Sequence, residues 1–115
     1  NILLPLTIQI NTNNNQGYSR WYQEKINQAK SSDQLYLLSA YNEYLLGATQ
    51  VEKVSSRIFL SKYAKYHTDA DTRLIAVEGL LLLSEAISID KVMLEIKAFE
   101  RDEQLLALYK EFYPQ

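Results

Sequence analysis

Cysteine is absent from the 115-residue chain, which excludes disulfides, thiolate metal ligands and thiol nucleophiles together. Proline and glycine are nearly as scarce. Pro5 and Pro114 lie near the ends and Gly17, Gly47 and Gly79 are isolated, so the interior is almost free of helix breakers. Isolated glycines also supply no phosphate-cradling loop. No apolar run approaches the roughly 18–20 residues that cross a bilayer, the longest being Gly79 to Leu83. Charge of one sign is lacking too: the net charge of −2 sets up no global field to draw DNA or an anionic membrane.

With 47% apolar and 23% charged residues, the chain reads as one ordinary folded domain. The charges are unevenly spread. Residues 1–67 hold seven Lys/Arg against four Asp/Glu, and residues 68–115 hold five against ten. A basic front and an acidic back make a dipolar surface suited to docking a protein.

Capping signals divide the chain. Ser31-Ser32-Asp33-Gln34 and Thr49-Gln50-Val51-Glu52 both fit the capping box, Thr68-Asp69-Ala70-Asp71 is its variant with Asp, and Ser88 precedes Asp90 as a simple cap. Between the caps the apolar spacing is helical. Tyr18, Tyr22, Ile26 and Ala29 form one stripe; Leu35, Leu38, Tyr41 and Leu45 a second; Val51, Val54, Ile58 and Phe59, with Tyr63 and Tyr66, a third. Leu74 to Ile87 is apolar nearly all round and is expected to be the central helix. Ile89, Val92, Met93, Ile96 and Phe99 form a fifth stripe, which resumes at Leu105 after the charged run Glu100 to Glu103.

The spacing therefore predicts an all-α fold, an antiparallel bundle of four to five helices, or six if the chain breaks near residues 101–103. Starts at 31, 49, 68 and 88 also fit a two-helix unit of about 37–39 residues, and a shift of 36 aligns Asp33 with Asp69, Leu38 with Leu74 and Leu45 with Leu81. The segment from Asp69 to Leu83 resembles the second helix of a HEAT-type repeat, with an acid before Arg73 and small Ala76 and Gly79, although Thr72 stands where an aliphatic residue is usual. That resemblance implies a short αα-repeat stack.

Residues 1–16 stand apart from the helical domain at 17–115. Apolar "ILLPLTIQI" leads into the polar tract Asn11 to Gly17, a pattern left by processing of a longer, exported precursor and shared by an extended arm.

His67, Asp69 and Asp71 carry ligand-type atoms at alternate positions. Counted as a calcium loop from Asp69, the sixth position is Leu74 and the twelfth Leu80, where glycine and a carboxylate are required. A zinc site lacks a second His or any Cys. No serine sits in a glycine-flanked nucleophile turn, so neither catalysis, a cofactor nor a metal is expected.

The nine tyrosines and one tryptophan are the unusual feature. A small core is not expected to satisfy so many hydroxyls, which leaves several tyrosines for an interface. The expected contact residues are Tyr18, Trp21, Tyr22, Tyr63 and Tyr66, with Arg57, Lys62 and Lys65 interleaved. The expected function is non-catalytic binding of another protein, as an adaptor, chaperone or inhibitor. Single-stranded nucleic acid held by the Lys/Arg/Tyr patch is the runner-up, and a structural segment of a larger assembly the third reading.

Overall fold

A computed structural model describes residues 17–114, so the expected arm at residues 1–16 lies outside the described residues. Six helices occur among them and no strand: α1 (Ser19–Gln28), α2 (Ser31–Leu46), α3 (Gln50–Tyr66), α4 (Ala70–Leu83), α5 (Asp90–Phe99) and α6 (Glu103–Phe112). The fold is an all-α bundle. The six-helix alternative is the one observed, because Glu100 turns extended at φ −69°, ψ 126° and the Asp102 carboxylate accepts from Leu105 N–H at 3.0 Å to start α6.

Side-chain capping follows the sequence in one place and departs from it in three. Thr49 and Glu52 form the full box: the Thr49 hydroxyl accepts from Glu52 N–H at 3.2 Å, and Glu52 Oε1 accepts from Thr49 N–H at 3.0 Å. At α4 the cap is Asp69 rather than Thr68. Its carboxylate accepts from Thr72 N–H at 2.9 Å and Thr72 Oγ1–H at 2.7 Å, and these donors hold the Asp69 carboxyl below its ordinary value. No side chain caps α2, where Gln34 instead donates to Ile26 C=O at 2.9 Å. None caps α5, where Ser88 uses its carbonyl to hold Arg57 at 2.7 Å.

Short joints turn α2 back on α1, α4 on α3 and α6 on α5, and helices two apart also meet: α1 on α3, α3 on α5, and α2 on α4. The α2–α4 pair is the one that the 36-residue shift aligns. Helix α4 packs on both α2 and α3, burying Ala76, Val77, Gly79, Leu80 and Leu83. It is central as expected, but not buried all round, since Glu78 and Leu82 face outward.

Gly79 sets the α2–α4 separation. A Cβ there would overlap Asn42 Oδ1 and lie 3.0 Å from Leu60 Cδ1, and Asn42 is pinned because its Nδ2 donates to Ile75 C=O at 2.9 Å. Gly79→Ala gains about 1 kcal/mol of helix propensity but meets an overpacking and unpairing cost of about 1–3 kcal/mol each. The expected outcome in urea unfolding is a lower midpoint for Gly79→Ala, largely recovered in Gly79→Ala/Asn42→Ala.

Candidate interaction face

Helix α3 is oriented against its own apolar pattern. The aliphatic residues Val51, Val54 and Ile58, expected to face the core, point outward, with Ile58 73% exposed. The side facing inward carries Glu52, Ser56, Leu60, Ser61, Tyr63 and Ala64. A hydroxyl decides the rotation. Half-buried Tyr44 on α2 brings its phenol to this seam, and a rotation placing Val51 and Ile58 inside would take away its acceptor.

Glu52 supplies that acceptor. Its carboxylate takes a short hydrogen bond from Tyr44 O–H and accepts from Ser19 N–H in the first turn of α1 at 3.3 Å, besides closing the Thr49 box. Helix α1 has no side-chain cap of its own, so one buried carboxylate serves the starts of two helices.

The outward stripe borders a groove between α3 and α5 of about 380 Å³, lined by Arg57, Ile58, Ser61, Ser88, Lys91, Val92 and Glu95. Ile58 and Val92 give it an apolar floor. At one end Lys65 pairs with Glu95 at 3.2 Å, and Tyr66, 60% exposed, meets Phe99 edge-on at 5.4 Å. Lys65 Nζ also sits 5.4 Å from both ring centroids. The only acid in α3, Glu52, is turned inside, so every outward charge on this helix is a cation.

The structure divides the expected contact residues. It places Arg57 in the groove and Lys65, paired with Glu95, at one end of it, while Lys62 and Tyr66 line the niche beside His67. Tyr22 and Tyr63 are buried at 8% exposure each, and neither lines the groove. Tyr18 and Trp21 are half-buried against Tyr44 and Tyr22, away from the groove.

The core thus accommodates more tyrosine than expected. Rings follow one another from Tyr18 through Tyr44, Tyr22, Tyr41, Phe59 and Tyr63 to His67, with centroids 5.0–6.0 Å apart. Ser19 and Gln23 reach the Tyr41 hydroxyl, and Asn27 and Gln34 reach that of Tyr63. Burial pushes the phenols of Tyr22, Tyr41, Tyr44 and Tyr63 above the ordinary 10.0, with Glu52 adding to the rise at Tyr44. Folded phenols therefore resist ionisation while unfolded ones do not, so this contribution to stability is complete below pH 10 and is lost as pH rises beyond it. Thermal melts across pH 9–12 are expected to show a falling midpoint on that alkaline side, by about a few degrees per unit.

His67 ends the aromatic run in a shallow niche of about 220 Å³ with Asn27, Gln34, Lys62, Tyr63 and Tyr66. Its Nδ1 accepts from Asp69 N–H at 3.0 Å, which places the proton on Nε2, where it is donated to Gln34 Oε1 at 2.7 Å. His67 thus ties the α3–α4 joint to α2, while the Asp69 carboxylate is engaged by Thr72.

The chain matches no protein-family model, no curated protein and no solved structure. The site therefore stands on its own geometry. Sequence reasoning missed Lys91, Val92 and Phe99 as groove residues and misassigned Val54 and Ile58 to the core. The available signal was the capping box, which commits Glu52 to the start of α3, together with Ser56 and Leu60 following at steps of four on the same side.

Proposed function

We propose that this protein is a non-catalytic protein-binding module whose contact surface is the outer face of α3 with the α3–α5 groove. The reading rests on the outward aliphatic stripe of Val51, Val54 and Ile58, continuous with the exposed Tyr66–Phe99 pair. Exposed aliphatic and aromatic side chains rimmed by cations have the anatomy of a protein contact, with an apolar centre and a polar edge. Nucleic acid is less well served. Of the three cations in that reading, Arg57 is held by Ser88 C=O and Lys65 by Glu95, and Tyr63 is buried and cannot stack.

Selection of a displayed helical-peptide library on the immobilised protein tests the reading. Enrichment that Ile58→Asp lowers by about tenfold or more is expected, with an unchanged melting temperature because Ile58 is largely exposed. Equal enrichment by both proteins would refute it. Salt-sensitive binding of single-stranded oligonucleotides, weakened by Lys62→Glu, would favour the runner-up.

A further inference from the structure

A complementary surface exists on the same molecule. On α4, Asp71, Glu78 and Leu82 lie at steps of seven and four and so share one outward face, with Glu85 just past the helix end and Leu74 half-buried at the edge. Leu82 is 47% exposed. The side chains of Asp71, Glu78 and Glu85 have no ion pair or hydrogen bond among the described residues, and neither do Lys91 in the α3–α5 groove and Lys62, exposed on α3.

We propose that the outer face of α4 of one copy of this chain docks on the outer face of α3 and the α3–α5 groove of a second copy, head to tail. The inference rests on the reading of α3 as a contact surface and names its partner. Three observations carry it. The signs are complementary, with Arg57 and Lys91 in the groove and Lys62 exposed on α3, against Asp71, Glu78 and Glu85 on and just past α4. The apolar content matches, with Leu82 and Leu74 against Val54 and Ile58. The net charge of −2 is small, so copies do not repel strongly.

The two surfaces differ, so the contact is heterologous and a docked pair leaves one face of each kind free. Association therefore extends beyond two chains as concentration rises. It also weakens with salt, because the charged groups are exposed.

Sedimentation velocity on the full chain, from micromolar to millimolar, tests this. The expected result is an average mass that climbs with concentration and falls on adding salt. Ile58→Asp, which disables the α3 face, and Glu78→Lys, which disables the α4 face, are each expected to remain monomeric. An equimolar mixture of the two retains one intact contact and is expected to give a two-chain species and nothing larger. Both substitutions are at exposed positions, and circular dichroism checks that they fold.

A wild-type chain that stays monomeric up to millimolar concentration overturns the proposal, as does association that survives in both variants. Monomeric wild type that still enriches peptides in an Ile58-dependent way refutes self-docking alone. Loss of both results refutes the contact surface itself.

Discussion

Glu100→Ala is expected to destabilise the fold by about 3–5 kcal/mol, the cost of leaving one partner of a buried ion pair alone. Arg73 and Glu100 meet in two parallel contacts, Nε to Oε1 at 3.1 Å and Nη2 to Oε2 at 2.8 Å. The Glu100 side chain is 1% exposed and that of Arg73 12%, so water does not replace the missing partner. Arg73 Nη1 also donates to the carbonyls of His67 at 2.9 Å and Thr68 at 3.2 Å, and Glu100 Oε2 accepts from Asp102 N–H at 3.0 Å. One pair thereby holds the α3–α4 joint to the α5–α6 joint. Tyr109 on α6 is fully buried near it, and its phenol is pushed up first by burial and then by the Glu100 charge.

Removing Glu100 strands a guanidinium, and removing Arg73 strands a carboxylate. Arg73→Met/Glu100→Leu strands neither and is expected to recover most of the loss, because apolar pairs of similar volume replace buried ion pairs at little cost. Urea unfolding of the three variants, followed by circular dichroism and Trp21 fluorescence, checks this. Single variants as stable as the wild type would mean that the pair contributes little.

The second large effect is expected at Glu52. Glu52→Ala removes the acceptor for Thr49 N–H, Ser19 N–H and Tyr44 O–H together, which makes a loss of about 2–4 kcal/mol. Because the carboxylate serves two helix starts, α1 is expected to loosen with α3. Hydrogen exchange should show faster amides in the first turn of both helices. Glu52→Gln keeps an acceptor oxygen and is expected to lose less. Protection falling in α3 alone would show that α1 does not depend on this residue.

Much of the architecture was legible in the chain. Few breakers, apolar steps of three and four, and the Thr49–Glu52 box are local properties, set within a turn or two of helix, and they yielded an all-α bundle with short joints. The break near residue 101 was legible as an alternative for the same reason. The rotation of α3 was not. Val51, Val54 and Ile58 make an apolar stripe as regular as any other, and hydrophobicity alone assigns it to the core. What overrules it is the need of the Tyr44 hydroxyl and the Ser19 N–H, on other helices, for Glu52.

The charged run from Glu100 to Glu103 has the pattern of an exposed joint, and nothing in its neighbourhood marks Glu100 as the partner of an arginine 27 residues earlier. The tyrosines erred in the same direction. Their number suggested an exposed surface until Ser19, Gln23, Asn27 and Gln34, all polar in sequence, proved to be the groups that let the rings go inside. By itself, the order of residues determined where helices form and stop, because caps and periodicity act over a few residues. Only the tertiary structure decided which face of each helix is buried. That choice depends on polar partners contributed by other helices, and here it turned an aliphatic stripe outward.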